Sequence, residues 1–477
     1  MFQFFPSHHP NPIIGHVASR DLVHWTRLPV ALANDSWWDR VAIWTGSATI
    51  VSGVPWLVYP GHCVPGVGGC SSTGFEYAQA VPADLSDPFY EHWRKLRPIV
   101  NDTFDDPSTA WRTPYGEWRF IGNSRIDQTS PDQSPIFASR NFAGPWQRVG
   151  LVEGLAWGEC PSLYPLPALY PGTKAPPQSQ LPTHVFKRSR QTHNCSGNCS
   201  GDMVQLGTWI DGRPGEVGIW KSTHRVPFGP TVIDVGNRYA SKDFEDKNGR
   251  RINWGWTHIP GGGESLPRVQ TYHPVLKRLI HSPLPELARL RAPQPLARLH
   301  NTEVKPGDSL RVWEDPLELG RGNSSEIIVY IQLPLNASGR FGVRVMQTLK
   351  NINATATSNV TNLDPQHGLL VYVDFTAGSR SLRAGFTPPC IACSQPHQNL
   401  TLLPSEHTLG LRIFCDRTVV EGYWADGRVA MTIGGPGAGV WSQGTVGGIS
   451  LESTVDVTVV NMTVFEMDSI WVSKEHF

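Results

Sequence analysis

The stretch IWTGSATIVSGVPWLVYPG, residues 43–61, decides the fold that this sequence predicts. It opens on a small polar motif and continues as two apolar runs that a Ser-Gly turn separates. The same strand, tight turn and strand recur in YGEWRFIGNS (115–124) and RRINWGWTHIP (250–260). Because such short runs fill the chain and helical periodicity is nearly absent, we predict an all-β protein.

Four similar blocks precede residue 260, and each begins at a small polar or acidic motif. The motifs lie near Thr45, Asp106, Glu159 and Asp234, at spacings of 61, 53 and 75 residues. That irregular period is close to the size of a four-stranded propeller blade. Since the innermost strands of a propeller converge on a central channel, we expect one polar residue of each block to meet the others there.

The pattern changes after the Pro-rich segment 292–296. Residues 300–477 contain alternating strands such as SEIIVYIQL (325–333) and HGLLVYVDF (367–375), which predict a β-sandwich of mostly structural role. Between them, PLPELARLRAPQPLARL has leucines at helical spacing. We therefore predict a propeller over 1–282, a linker with a short helix over 283–299, and a sandwich over 300–477.

The charge balance argues against nucleic acid or a membrane as a partner. The chain has 41 basic and 41 acidic residues, and no window of 18 consecutive apolar residues. Ten Asn-x-Ser/Thr sequons predict N-linked glycans on several asparagines and a secreted, extracellular, cell-wall or vacuolar protein. Because no signal peptide precedes them, we expect this sequence to be truncated at its N-terminus.

The eight cysteines fit an oxidising compartment. Cys63 with Cys70, and Cys195 with Cys199, could each close a loop, although pairing does not follow from sequence. The Cys-Ile-Ala-Cys run at 390–393 is either a pair of loop cysteines or a redox or metal motif, and nothing nearby supports the second interpretation.

Three acidic stretches are candidates for catalysis: FDDPSTAW (104–111), WGECPSLYP (157–165) and VIDVGNRYASKDF (232–244). An acid among aromatic and apolar residues can have a raised pKa, which a general acid near neutral pH requires. The alternative interpretation is that Asp-Asp-Pro and Glu-Cys-Pro simply form turns.

Taken in order, the motifs are far more specific. The set FQFFP, GHVASRDLVHW, LPVAL, WTGSAT, FDDPSTAW, WGECP, YASKDF and WGW closely resembles glycoside hydrolase family 32, the invertases, fructan hydrolases and fructosyltransferases. GLRIFCDRTVVEGYWADGRVAMT (410–432) resembles a strand pair of the same family, so the resemblance covers nearly the whole chain.

The resemblance implies a five-bladed propeller with a C-terminal β-sandwich, and a retaining mechanism that uses three carboxylates on sucrose or a fructan. By motif, Glu159 matches the acid/base residue and Asp106 the stabiliser of the transition state. The positions that match substrate-binding residues are Gln3, Trp44, Thr45, Asp105 and Asp234. No metal or organic cofactor is implied, and we expect a monomer.

Three departures accompany the resemblance. The family's nucleophilic aspartate lies in a Trp-Met-Asn-Asp-Pro-Asn-Gly motif shortly before FQFFP, and nothing precedes Met1, so the first blade is expected to be incomplete and the nucleophile absent from this chain. Asp105 stands where the family has arginine, which places a second negative charge beside Asp106. Ile14 stands where the family has tryptophan, which removes one aromatic wall of the pocket.

Three functions therefore remain open from sequence. The chain could be part of an active β-fructofuranosidase-type enzyme, which without its nucleophile would be hydrolytically silent. It could be a non-catalytic sugar-binding or regulatory relative, or a secreted scaffold without a sugar role.

Overall fold

The computed structural model describes most of the chain. The described residues are 2–4, 11–101, 103, 106–122, 133–154, 158–190, 201–223, 232–236, 238–257, 263–314, 322–347, 368–387, 397–417, 419–434 and 448–476. Within them the protein has 33 strands and three short 3₁₀ helices, Gln178–Gln180, Pro285–Leu290 and Lys474–His476. The all-β class that the sequence predicts is confirmed.

The first 21 strands form five antiparallel sheets in the described residues, which are the blades of the propeller. The first has three strands: β1 (Phe2–Phe4), β2 (Ile13–Ala18) and β3 (Thr26–Leu32). The second contains β4 (Ala42–Ile43), β5 (Ser47–Val51), β6 (Val54–His62), β7 (Phe75–Pro82) and β8 (Trp93–Val100). The third contains β9 (Trp111–Arg112), β10 (Trp118–Ile121), β11 (Gln133–Ser139) and β12 (Gln147–Glu153).

The last two blades follow the same up-and-down order. The fourth contains β13 (Glu159–Pro165), β14 (His184–Arg190), β15 (Gly201–Ile210) and β16 (Ile219–Ser222). The fifth contains β17 (Arg238–Glu245), β18 (Arg251–Thr257), β19 (Gly263–Glu264), β20 (Arg268–His273) and β21 (Arg278–Pro283).

Two six-stranded antiparallel sheets form the sandwich. One has the order β22-β33-β24-β29-β30-β31 and the other β23-β32-β25-β26-β27-β28. Their bounds are β22 (Ala297–Val304), β23 (Ser309–Trp313), β24 (Ser324–Gln332), β25 (Gly339–Gln347), β26 (Leu369–Phe375), β27 (Ser381–Thr387), β28 (His397–Thr401), β29 (Thr408–Asp416), β30 (Val419–Trp424), β31 (Val429–Gly434), β32 (Gly448–Ser453) and β33 (Val457–Glu466).

The stretch 43–61 shows how each blade is built. Val51 pairs with Val54, so Ser52 and Gly53 form a two-residue turn between β5 and β6. Both turn residues have positive φ, 50° and 82°, as the tight turns that suit twisted hairpins require. β5 thus runs from Ser47 to this turn, and β6 runs back toward the end of the blade where Ser47 lies.

Aromatic residues fill the spaces between blades. Tyr77 of the second blade packs edge-on against Phe120 and Phe137 of the third, at ring distances of 5.7 and 5.8 Å. Aromatic side chains thus supply much of the packing between the second and third blades. The sandwich has a mostly aliphatic core between its two sheets, which includes Ile327, Val343 and Leu451.

The 3₁₀ helix Pro285–Leu290 lies in the predicted linker. The predicted short helix is therefore of the 3₁₀ type. Its buried Leu287 and Leu290 pack with Ile252 of the propeller and Phe414 of the sandwich, and so fill the contact between the two parts. The domain boundaries at 282 and 300 stay a prediction, and β22 already begins at Ala297.

The predicted loop closure by Cys63 and Cys70 is confirmed, because the two form a disulfide. The other two candidate pairs, Cys195 with Cys199 and Cys390 with Cys393, lie outside the described residues. In the described part of the chain, no helix has the length and apolar character needed to cross a membrane.

Candidate active site

The polar motifs of different blades meet where the inner strands begin. The Ser47 hydroxyl donates a hydrogen bond of 2.7 Å to the carbonyl of Pro107, and the Cys160 N–H donates one of 2.8 Å to Oδ2 of Asp106. Three blades are joined by these two bonds. The prediction that residues far apart in sequence converge is therefore confirmed for these motifs.

Asp106 is buried, with 7% of its surface exposed, and is held from one side by Cys160. Its Oδ2 accepts the Cys160 N–H at 2.8 Å and the thiol at 3.1 Å. Burial raises the pKa of the Cys160 thiol, so the sulfur keeps its proton and remains a donor. Two donors on one oxygen fix the orientation of the carboxylate.

The backbone at Cys160 is shaped for this contact. Its φ is 48°, a left-handed value that is uncommon for a residue other than glycine, and the β13–β14 register shifts between Glu159 and Ser162. Such bulges re-aim side chains next to active sites. At this one, Glu159 and Cys160 present their polar groups side by side.

Glu159 is half-buried, and its Oε2 accepts a 2.6 Å hydrogen bond from the Tyr239 hydroxyl. Burial raises the pKa of Glu159, the Tyr239 hydrogen bond opposes that change, and the charge of Asp106 adds to it. Burial and the neighbouring Glu159 also raise the pKa of Tyr239, so its hydroxyl stays a donor. The net raised pKa of Glu159 suits a general acid.

Lys242 links the fifth blade to the second and third. Its Nζ donates hydrogen bonds of 3.0 Å to Oγ of Ser47 and 3.0 Å to the carbonyl of Pro107. Burial lowers the pKa of Lys242, and the neighbouring Cys160 and Asp106 oppose that change. The ammonium group thus holds the Pro107 carbonyl, one residue after Asp106.

A second buried network supports the start of β17. Asp202 accepts hydrogen bonds from the Ser189 hydroxyl and the Ser241 N–H, and lies 3.8 Å from Lys187 and 3.5 Å from Arg238. Burial raises the pKa of Asp202, but the two cations and the hydrogen bonds outweigh it and hold the pKa below its usual value. The negative charge of Asp202 is balanced by two cations, whereas the hydrogen-bond partner of Glu159 is the neutral Tyr239 hydroxyl.

The predicted sugar-contacting residues are only partly described. Trp44 is 37% exposed, and its backbone N–H donates to the Pro60 carbonyl at 3.0 Å. Thr45 is half-buried. The backbone of Gln3 pairs with Ile14 in the first blade, but its side chain lies outside the description, as does Asp105.

Asp234 is a correction to the sequence prediction. It is 1% exposed, and its carboxylate is used by the sandwich: Oδ1 accepts the Thr432 N–H at 3.0 Å, and Oδ2 the Thr432 hydroxyl at 2.8 Å. Arg268 lies 2.8 Å from the same Oδ2. A carboxylate so enclosed is not accessible to substrate, so the predicted substrate-binding role of Asp234 is wrong.

Metal binding has little support in the described residues. Among those residues, the three potential metal ligands that lie close together are Cys63, Cys70 and Glu76. Cys63 and Cys70 form the disulfide. A disulfide offers no thiolate, which is the form of cysteine that binds metals.

Sequence reasoning did not assign Tyr239 or Lys242 a role, although both lie in the quoted motif YASKDF. Their side chains act on Glu159, which is 80 residues away, and on Ser47, which is 195 residues away. The motif YASKDF indicated that the two residues matter. Their partners follow only from the packing of the blades.

A propeller whose channel brings together a fixed aspartate and a glutamate of raised pKa, joined to a β-sandwich, has the architecture of a glycoside hydrolase. Residues 1–276 match the family model described as the glycosyl hydrolases family 32 N-terminal domain. The chain belongs to glycoside hydrolase family 32.

Relatives cover nearly the whole chain. It is 26% identical to the vacuolar acid beta-fructofuranosidase 2 of a Rosa hybrid cultivar, over 90% of this chain and 72% of that protein. It is also 26% identical to the vacuolar acid beta-fructofuranosidase 4 of Arabidopsis thaliana, over 99% of this chain and 76% of that protein.

Solved structures show the same fold. Fructan 1-exohydrolase IIa from Cichorium intybus superposes with a TM-score of 0.73 at 22% identity, over 99% of this chain and 93% of that one. A single-residue variant of that enzyme, in complex with 1-kestose, gives a TM-score of 0.74 at 21% identity, with the same coverage. The predicted propeller and sandwich are confirmed.

Proposed function

We propose that this protein is a β-fructofuranosidase-type glycosidase that acts on sucrose or fructan oligosaccharides. The observation that carries the proposal is the pair of motifs at the channel, where Glu159 has a raised pKa and Asp106 is fixed by Cys160. Relatives that are named acid beta-fructofuranosidases along nearly the whole chain support the same substrate class.

In this proposal, Glu159 acts as the acid/base residue. Protonated, it donates its proton to the leaving oxygen of the fructoside, and as the carboxylate it then takes a proton from water or from an acceptor sugar. Tyr239 holds one oxygen of Glu159, so the other oxygen is available for the proton transfer.

Asp106 stabilises the transition state. Its Oδ2 is occupied by Cys160, which leaves Oδ1 to accept hydrogen bonds from fructose hydroxyls. The nucleophile of a retaining reaction would be a third carboxylate, and the 477 residues contain no Asn-Asp-Pro motif to supply it.

The test compares this chain with a version extended at its N-terminus by the Trp-Met-Asn-Asp-Pro-Asn-Gly strand. Release of fructose from sucrose and inulin is measured for both, and for Glu159→Gln in the extended version. We expect hydrolysis only by the extended protein, and a loss of at least about 10²-fold on Glu159→Gln, as general acid catalysis implies. An extended protein that is inactive on both sugars would count against the proposal.

The second candidate is a sugar-binding relative without catalysis. Two departures from the family's motifs favour it, since Asp105 replaces a cation beside Asp106 and Ile14 replaces an aromatic wall of the pocket. Calorimetry of the unextended chain with sucrose and 1-kestose separates the two candidates: binding without hydrolysis in either version would favour this one.

The proposal includes a glycosylated monomer in the vacuole or outside the cell. Asn101, Asn336, Asn399 and Asn461, all in sequons, are exposed, and Cys63 and Cys70 form a disulfide. Glycosidase treatment of the protein from a eukaryotic host should lower its apparent mass, and light scattering should give the mass of one chain.

A further inference from the structure

The loop between β6 and β7 lies at the mouth of the channel. β5 begins at Ser47, beside the channel, and ends at the Ser52-Gly53 turn, from which β6 returns. The end of β6 therefore lies on the channel side, where His62 pairs with Ala42 just before Trp44. The loop that follows, 63–74, extends this side of the blade outward.

This loop is held in one conformation. The disulfide joins Cys63 to Cys70, and the Cys63 N–H donates to the Gly74 carbonyl at 2.9 Å. The Gly66 N–H donates to the Cys70 carbonyl at 3.2 Å, so the closed ring is also bonded across its middle. A loop ordered in advance loses little entropy when it binds a ligand.

Trp37 packs on the same loop. A side-chain carbon at Gly69 would lie 3.5 Å from its ring, and one at Gly68 would lie 3.2 Å from its Cβ. Both glycines have positive φ, 102° and 67°, so the close packing and the backbone each favour glycine. The indole therefore has one face covered by backbone.

Four apolar side chains at this mouth remain open to solvent, and we call them the rim patch: Trp37 (36% exposed), Trp44 (37%), Val64 (49%) and Val67 (60%). The patch is continuous with the candidate site through β6. The backbone N–H of Trp44 donates to the Pro60 carbonyl of β6. The carbonyl of Trp38, which follows Trp37, lies beside Gly61 of the same strand. Apolar patches on a rigid surface commonly mark a binding site.

We propose that the rim patch is an additional subsite for fructan oligosaccharides, where sugar units beyond those at the carboxylates rest on Trp37 and the disulfide loop. This inference rests on the proposed function. Rigid indole faces suit the apolar faces of sugar rings, and a few polar groups at the site then suffice for orientation.

The dimensions restrict the subsite to longer sugars. Between Ser47 and Ile43 the paired strand β6 advances three residues, which is about 10 Å at the rise of a strand. Trp37 contacts the loop beyond β6, at Gly68 and Gly69. We therefore expect sucrose at the carboxylates to end short of Trp37, and a pentasaccharide to reach the rim patch.

The experiment measures binding by calorimetry in the Glu159→Gln background, which prevents turnover. The probes are sucrose, 1-kestose and an inulin-type pentasaccharide. We expect the pentasaccharide to bind more tightly than 1-kestose, and Trp37→Ala to weaken the pentasaccharide about fivefold or more, as for an aromatic anchor, with less than about a twofold change for sucrose. If Trp37→Ala is unstable, Val67→Ser, at the most exposed position of the patch, gives a second measurement. We expect it to weaken binding of the pentasaccharide and not of sucrose or 1-kestose.

Tyr115→Ala is the matched control. Tyr115 is 55% exposed and lies in the turn between β9 and β10, at the end of its blade away from Asp106, so no probe should be affected. Equal affinities for 1-kestose and the pentasaccharide, or equal losses for all three sugars on Trp37→Ala, would overturn the subsite while leaving the proposed function in place. Binding of no sugar at all would overturn the proposed function and the subsite together.

Discussion

Two carboxylates of the same propeller show how differently one functional group can be used. Glu159, at the channel, has the neutral Tyr239 hydroxyl as its hydrogen-bond partner at 2.6 Å. Asp234, at the contact with the sandwich, lies 2.8 Å from Arg268 and accepts two hydrogen bonds from Thr432. The first carboxylate has a raised pKa and suits proton transfer, whereas the second is paired with a cation.

The surroundings of Asp234 give its carboxylate a structural role. Arg268 donates 2.7 Å hydrogen bonds to Glu421 and Thr432 of the sandwich, and the Tyr423 hydroxyl donates to Glu421 at 2.6 Å. Every one of these side chains is buried. We infer that this network orients the sandwich on the propeller, since partners from both sides must be present to satisfy it.

The largest effect is expected from breaking the network at the interface. Arg268→Met leaves the carboxylates of Asp234 and Glu421 buried without their cation, which should lower the free energy of unfolding by about 3–5 kcal/mol. Urea denaturation measures this change. Arg311→Met, which removes an exposed pair with Glu314, should cost less than about 1 kcal/mol. Equal effects of the two changes would contradict the distinction.

The next effect concerns the channel. Lys242→Met removes the two hydrogen bonds of 3.0 Å to Ser47 and to the Pro107 carbonyl. The expected loss in unfolding free energy is about 1–3 kcal/mol, because the bonds come from a charged donor. Lys221→Met, at an exposed position of β16, is the control and should change stability by less than about 0.5 kcal/mol. Thermal unfolding of both variants in one buffer gives the comparison.

The smallest effect tests the raised pKa of Glu159 itself. A group whose pKa is higher in the folded state adds stability below its ordinary value of 4.5, and that stability is lost as the pH rises through the raised value. Glu159→Gln removes this loss and keeps an acceptor for Tyr239. The variant should therefore gain stability relative to the wild type as the pH rises from 4 to 7, by about 1 kcal/mol or less.

Unfolding curves at pH 4 and pH 7 measure this gain. Glu153→Gln, an exposed position on β12, should show no such pH-dependent gain. A difference between Glu159→Gln and the wild type that stays constant between the two pH values would contradict the raised pKa.

Sequence reasoning brought Glu159 and Asp106 to one site, where the structure also places them, and misassigned Asp234. The catalytic roles of Glu159 and Asp106 stay a proposal. Glu159 and Asp106 lie in short motifs whose order identifies the family, and both are in the channel region. Asp234 also lies in a matched motif, but its environment comes from Thr432, 198 residues later. Position in a motif does not indicate which partners the rest of the chain supplies.

By itself, the sequence determined the all-β class and the family, because alternation, turns and motif order are local properties. It offered Cys63 and Cys70 as one possible pair, and the structure shows their disulfide. Only the tertiary structure decided which carboxylate has a raised pKa and which is paired with a cation. Tyr239 reaches Glu159 across 80 residues, and Arg268 reaches Glu421 across 153. A pKa depends on burial and on neighbouring charges, and folding alone assembles both.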